Sequence, residues 1–182
     1  MSRQLDSETL IRPSRFAHFV LRVRNLEESI AWYQAVVGME IVHRAETIAF
    51  MTYDEEHHRL ALAQTPVAEL APPGAAGLDH VAYTLDSLGD LLSTYRRLET
   101  KGILPAWPIN HGLTTSLYYA DPDGNRVEFQ VEHFATAAEL RGFMESEAFA
   151  ANPIGVGFDP EKLALRYENG DPIEELVKQG SA

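Results

Sequence analysis

Phe16-Ala17-His18-Phe19-Val20-Leu21-Arg22-Val23 and Leu78-Asp79-His80-Val81-Ala82-Tyr83-Thr84-Leu85 decide the fold of this chain. Each stretch places a histidine third in an apolar, β-branched run of the kind that forms a strand. Working outward, the same signals recur at the same distance from each histidine. Asn25 with Glu28, and Ser87 with Asp90, have the spacing of a capping box, and an apolar residue, Leu26 or Leu88, follows each cap. Tyr33 and Tyr95 occupy the same place in the two expected helices, and Gly38 and Gly102 stand where a C-terminal glycine ends a helix. The match extends over strand, helix and helix exit, which identifies an internal duplication.

After each helix the apolar period changes from that of a helix to that of a strand. Short strands are predicted through 39–45, 47–53 and 58–64 in the first copy, and through 103–109, 115–120 and 126–132 in the second. Each copy therefore reads βαβββ. The expected organisation is a flexible N-terminal arm at 1–14, a first module at 15–64, a linker at 65–77, a second module at 78–134, and a C-terminal helix and tail at 135–182. The linker is marked by Pro66, Pro72, Pro73, Gly74 and Gly77. Asp121-Pro122-Asp123-Gly124-Asn125 has the composition of a tight turn before the last strand. Beyond Phe134 nothing repeats: a helix is predicted at 136–148, then a Pro- and Gly-punctuated tail with a short helical end near 172–179, suited to covering a sheet edge or a partner subunit.

Composition narrows the function. The chain has 182 residues, 45% of them apolar, which suits one ordinary globular unit. Its formal charge of −12, with no cluster of Lys or Arg, excludes a phosphate-backbone partner and so nucleic acid. No segment approaches the ~20 apolar residues of a membrane span, and Met1 to Pro13 lacks the layout of a secretory signal, so a cytoplasmic location is expected. There is no cysteine, hence no disulfide and no thiolate ligand; any metal must rest on histidine and carboxylate.

His18 and His80, fixed at equivalent places by the duplication, and Glu128 in the last strand of the second copy form the candidate ligand set. Two imidazoles and one carboxylate suit a redox-active divalent metal and leave half of its coordination sphere open. Each residue alone has an ordinary explanation, a surface or satisfied histidine or a carboxylate on the solvated face of a strand. Aligning Arg59-Leu60-Ala61-Leu62-Ala63 with Arg126-Val127-Glu128-Phe129-Gln130 puts Ala61 where the second copy has Glu128, so a fourth ligand is missing. An open face suits a bidentate substrate and dioxygen together.

The duplication, with His at the head of each copy and Glu in the last strand, resembles the vicinal oxygen chelate superfamily, which includes glyoxalase I, bleomycin- and fosfomycin-resistance proteins and the type I extradiol catechol dioxygenases. Three motifs resemble the dioxygenases: His57-His58-Arg59-Leu60-Ala61, His111-Gly112-Leu113-Thr114, and Ser116 through Glu128 with its Tyr118-Tyr119-Ala120-Asp121-Pro122-Asp123-Gly124-Asn125-Arg126 core. The likeness covers about 15–134, with Asn152-Pro153-Ile154-Gly155-Val156 also similar to single-domain members; the extra N-terminal module pair of two-domain relatives is absent from it. It implies an α+β fold in which the two βαβββ modules form a cupped, barrel-like mixed sheet around a metal site, with a mostly helical C-terminal tail. It places the metal on His18, His80 and Glu128, an acid-base role on His58, with His57 beside it as the alternative, and substrate contacts on His111 and Tyr118. His58 and Ala61 cannot both point inward from an unbroken strand, so His58 is expected at the strand's mouth or at a bulge.

The activity implied is ring cleavage of a catecholic diol such as 2,3-dihydroxybiphenyl beside its hydroxyls, with O₂ and Fe(II); Mn(II) suits the same ligands. Family habit and the non-repeating tail imply a homo-oligomer. The alternatives are a glyoxalase-like isomerase or epimerase, which needs the carboxylate that Ala61 lacks, a non-catalytic drug-binding resistance module, and a dioxygenase acting on a hydroquinone. Trp107, Phe129, Phe143 and Phe149 are candidates for an aromatic pocket, against the ordinary expectation that such side chains fill the core, while Trp32, Tyr33 and Tyr95 are expected in the core. Of the alternating Tyr118 and Tyr119, one is expected inside and the other not.

Overall fold

The computed structural model describes residues 9–67, 69, 70, 72 and 74–182. Residues 1–8 of the expected arm, and Ala68, Ala71 and Pro73 of the expected linker, lie outside the described residues. The chain divides into two compact units, Met1–Val67 and Ala68–Ala182.

The first unit runs β1 (Phe19–Val23), α1 (Leu26–Val36), β2 (Glu40–Arg44), β3 (Ile48–Thr52) and β4 (Leu60–Gln64). The second begins with the same order: β5 (His80–Thr84), α2 (Leu88–Glu99), β6 (Trp107–Asn110), β7 (Thr114–Ala120) and β8 (Arg126–Glu132). In each, the first strand pairs in parallel with the last, and the remaining pairs are antiparallel. The fold is α+β, as expected. The strands form two mixed sheets, of four strands in the order β1-β4-β3-β2 and of five in the order β5-β8-β7-β6-β9, where β9 is Val156–Gly157. Among the described residues neither sheet closes on itself into a barrel: the first ends at β1 and β2, the second at β5 and β9.

The helices start where the caps predict. The Asn25 side chain accepts from the Glu28 N–H and the Ser87 side chain from the Asp90 N–H. Each buries one stripe: Leu26, Ile30, Tyr33 and Val36 in α1, and Leu88, Leu91, Leu92, Tyr95 and Leu98 in α2. Burying one such leucine fully contributes ~1.5–3 kcal/mol. Gly38 and Gly102 follow with φ of 78° and 71°, the left-handed conformation a helix exit needs.

Three departures have local causes. The sixth strand starts at Trp107 and not at 103, because the Ile103 N–H turns back to the Leu98 carbonyl at the end of α2 and Pro105 has no N–H to give. The helix expected at 136–148 is two, α3 (Ala137–Met144) and α4 (Glu147–Ala151), since the Ser146 side chain accepts from the Phe149 N–H and starts a new helix. The tail also contains α5 (Pro160–Glu168), which was not expected there. Asp159 caps it by accepting from the N–H groups of Glu161 and Lys162, and Pro160 occupies its first turn. A last short helix, α6, covers Ile173–Leu176.

The tail covers an edge of the second sheet, through β9 on β6. It is also clamped to α2, where the Arg96 guanidinium pairs with Glu99 on its own helix and with Glu161 and Glu168 of α5. Tyr95 hydrogen-bonds to Glu99 and Glu161, and burial together with Glu99 pushes its hydroxyl up to about 12. Among the described residues, no helix is long and apolar enough to cross a membrane.

Candidate functional site

Register builds the second unit's polar face. Trp107 lies opposite Tyr118, Tyr118 opposite Glu128, and Glu128 beside Ala82, so all four side chains share one face with His80. The other face carries Leu117, Tyr119, Val127, Phe129 and Val131, all buried. Glu128 is thus a carboxylate only 4% exposed, on a strand whose alternate residues are core. Such burial is costly unless the charge is paired or bound to a cation.

What faces Glu128 is imidazole. His80 Nε2 stands 3.1 Å from one carboxylate oxygen and His111 Nε2 stands 3.9 Å from the other. His80 Nδ1 contacts Asp79 Oδ2 at 2.8 Å, and Asp79 is in turn paired with the Arg126 guanidinium. A carboxylate accepts, so Nδ1 carries the hydrogen and the Nε2 side of the ring is directed at Glu128. A neutral ring in that pose sets two electron-pair donors face to face, an arrangement that calls for a proton or a metal ion between them. His80 and Arg126 hold the Asp79 carboxyl below the usual carboxylate range. This orienting chain of Arg126, Asp79 and His80 was not anticipated from the sequence. Its visible signals were the acidic residue directly before a candidate histidine and the arginine that recurs at the head of β4 and β8.

Tyr118 lies among these groups, its ring 5.1 Å from that of His80 and 4.9 Å from that of Trp107, with the Arg126 guanidinium over it at 5.9 Å. The ring neighbours explain why both Tyr118 and Tyr119 are buried, where only one was expected to be: Tyr119 is core, and Tyr118 is covered on the polar face. Burial first, and then the Glu128 charge, raises the Tyr118 hydroxyl well above its ordinary value. The Tyr118 hydroxyl is 3.2 Å from His111 Nε2. His111 follows β6, in the hairpin that leads into β7. Of the aromatic candidates, Trp107 is on this face; Phe129 is on the core face, and Phe143 contacts Phe134 and Phe149 instead.

In the first unit, His18 is exposed and directly precedes β1. Its segment is fastened to the start of β4, because Arg59 donates to the carbonyls of Phe16 and Ala17 while gripping Asp54 through two nitrogens. The His58 ring lies 4.2 Å from that of His18 and 4.9 Å from Phe50. His58 stands two residues before β4, at the strand's mouth. Burial, with the neighbouring His18 and His57 rings, holds His58 below the ordinary imidazole value. His57 is exposed and its Nδ1 meets His58 Nδ1 at 2.6 Å, so one of the two rings donates and the other accepts.

Among the described residues, no three His, Asp or Glu side chains are gathered so as to hold a metal ion. The second unit brings together His80, Glu128, Tyr118 and His111; the first brings His58 to His18. The His80–Glu128 pair fits a divalent metal of intermediate hardness, with one nitrogen and one oxygen donor at a spacing that adjacent ligands of one ion adopt.

Comparison with known proteins bears on these pieces. Residues 15–129 match the model of the Glyoxalase/Bleomycin resistance protein/Dioxygenase superfamily. The chain is 46% identical over 164 residues to biphenyl-2,3-diol 1,2-dioxygenase 2 of Rhodococcus globerulus, covering 90% of this chain and 86% of that one. It is 44% identical over 170 residues to biphenyl-2,3-diol 1,2-dioxygenase 3 of the same organism, covering 92% and 90%. The fold is shared with a glyoxylase/bleomycin resistance protein/dioxygenase domain from Frankia sp. EAN1pec, with a TM-score of 0.56 and 22% identity over 70% of this chain and 96% of that one.

Proposed function

The chain belongs to the Glyoxalase/Bleomycin resistance protein/Dioxygenase superfamily, and from that premise we propose that it is an extradiol dioxygenase, cleaving the ring of a small aromatic diol beside its hydroxyls with O₂. The observation that carries this reading is the likeness, over nine-tenths of the chain, to two biphenyl-2,3-diol dioxygenases, together with a polar face built as such chemistry needs. In this reading His18, His80 and Glu128 are the metal ligands. His80 and Glu128 are supported by their spacing, and His18 by its equivalent place in the duplication.

When bound, the metal, Fe(II) in this reading with Mn(II) suiting the same donors, supplies a meeting place for both diol oxygens and O₂ and a path for electrons between them. The residues supply the rest. Asp79 holds the His80 ring in place through Nδ1, and buried Glu128 contributes the negative charge that favours a cation there. With its Nδ1–H donating to His57, His58 has a bare Nε2 to take a proton from a diol hydroxyl and return it to the product; a depressed imidazole is neutral and suited to accepting it. Tyr118, kept protonated by its surroundings, donates a hydrogen bond to a substrate oxygen on which negative charge grows, and His111 Nε2, beside it, accepts from a hydroxyl of the diol. Trp107 offers its ring as a wall to an aromatic substrate. Ala61, the partner of Val20 as Glu128 is of Ala82, supplies no fourth carboxylate, which disfavours an isomerase. The setting in this reading is cytoplasmic, with a homo-oligomer that light scattering would test.

The test is an assay of protein loaded anaerobically with Fe(II) against catechol, 3-methylcatechol and 2,3-dihydroxybiphenyl. Oxygen uptake with a yellow ring-fission product is expected from at least one of them. Bound iron with no uptake from any diol ends the reading, and turnover of methylglyoxal with glutathione transfers it to the isomerase.

A further inference from the structure

His111 Nδ1 stands 2.5 Å from the carbonyl oxygen of Ile154, forty-three residues later in the chain. A carbonyl only accepts, so the hydrogen is on Nδ1, and in the neutral ring Nε2 is left as an acceptor facing the Tyr118 hydroxyl. The segment that carries this carbonyl is built for close approach. Asn152 closes it on itself, its Oδ1 accepting from the Gly155 N–H and its Nδ2 donating to the Gly155 carbonyl, both at 2.9 Å. Gly155 has φ +109°, and a Cβ there would lie 2.3 Å from the Asn110 carbonyl oxygen and 2.7 Å from the His111 Cα. Only glycine permits both the backbone conformation and the contact. Directly after it, Val156 and Gly157 pair with Asn110 and Ile109.

The His111 loop is braced from other sides too. The Asn110 side chain donates to the Val177 carbonyl and accepts from the Gly112 N–H. Gln179 donates to the Asn110 carbonyl, and His133 joins the Gly112 carbonyl to the Thr115 hydroxyl. The tail, which has no counterpart in the first copy, converges on one histidine.

We infer that the segment Asn152–Gly157 is a positioning strap that selects the Nδ1–H tautomer of His111, so that its Nε2 meets substrate as a hydrogen-bond acceptor. A ring with the other tautomer would present N–H at the same place and would compete with Tyr118 as a donor. Ile154, through its backbone, and Asn152 and Gly155, through the shape of the turn, are positioning residues. Their consequence for turnover rests on the dioxygenase reading; the tautomer itself does not.

The experiment uses the metal-free, full-length protein labelled with ¹⁵N-histidine, with the His111 signals assigned by their loss in His111→Gln. The expected spectrum has the proton on Nδ1 of His111 and a bare Nε2. Asn152→Ala and Gly155→Ala should each give a mixture of tautomers, and Asn152→Asp, which keeps the acceptor for the Gly155 N–H, should restore most of the wild-type signal. Asn152→Ala removes only a half-buried turn side chain, so it tests the inference even where Gly155→Ala fails to fold. Fe(II)-loaded Asn152→Ala should lose about tenfold in kcat with little change in KM for the diol, the loss of a single oriented hydrogen bond. A proton on Nε2 in the wild type, or wild-type spectra from both variants, overturns the inference whatever the activity. A tautomer shift with unchanged turnover upholds the strap and instead removes His111 from the proposed reaction.

Discussion

The two sheets carry the same frame with different contents. Across the first, His43 pairs with Phe50, Phe50 with Ala61, and Ala61 with Val20; across the second, Trp107 pairs with Tyr118, Tyr118 with Glu128, and Glu128 with Ala82. Position for position, a phenyl ring stands for a phenol and a methyl for a carboxylate. The arginine at the head of the last strand is retained in both, yet Arg59 grips backbone carbonyls before His18 whereas Arg126 grips Asp79, which orients His80. Duplication supplied two equal scaffolds. The polar row stands on one of them; the other carries apolar side chains there and, at its mouth, His18 with His58 beside it.

The two rows are most unequal at Glu128, whose counterpart is Ala61. Glu128→Ala makes the second row match the first, and activity should fall by more than the ~10²-fold ceiling typical of groups outside the ligand shell, with metal content falling too. A variant that keeps a tenth of the wild-type turnover and binds metal normally would show the two rows to be equivalent. Next in size is His58→Gln, for which a ~10²-fold loss of kcat with unchanged metal content is expected, while His57→Gln changes little. The reverse order would transfer the acid-base role to His57. Asp79→Asn comes after, because it removes the orienting charge that the first copy never had: a loss of ~10-fold in metal affinity is expected by competition with a chelator.

Tyr119 is fully buried with a hydroxyl that has no hydrogen-bond partner among the described residues, whereas the Tyr95 hydroxyl has Glu99 and Glu161. Tyr119→Phe should therefore raise stability by ~1 kcal/mol in urea unfolding and Tyr95→Phe lower it by a similar amount. Equal effects would mean that the Tyr119 hydroxyl is solvated. Burial holds His133 below the ordinary imidazole value, so the unfolded chain takes up its proton first and stability falls as pH drops below ~6.5. The stability advantage of wild type over His133→Gln should shrink as pH is lowered from 7.5 to 5.5; a constant difference refutes the assignment.

Much of this molecule was legible before its coordinates. The duplicated histidine strands, both helix caps and the glycines after them are local signals, and local structure followed them. His80 and Glu128 could be brought together because strand parity and a parallel first-to-last pairing place them on one face. The Asp79–Arg126 brace was harder to see, since it depends on side-chain direction at a strand end. The Ile154 carbonyl was invisible, because a backbone oxygen has no residue-type signature. The tail was misjudged at Asp159-Pro160, where Asp as cap and Pro in the first turn start α5, yet the same Pro among glycines suggested irregular chain.

Closing each module with a parallel pair between its first and last strands also sets an order for biosynthesis. The strand that follows His18 has no partner until β4 has left the ribosome, so for some forty residues of elongation that strand's hydrogen-bonding edge waits unmatched. The nascent chain must keep it soluble for that interval, and Arg22 within it, with the arginines at 12, 15 and 24 on either side, supplies the charge that discourages premature pairing with a neighbouring chain.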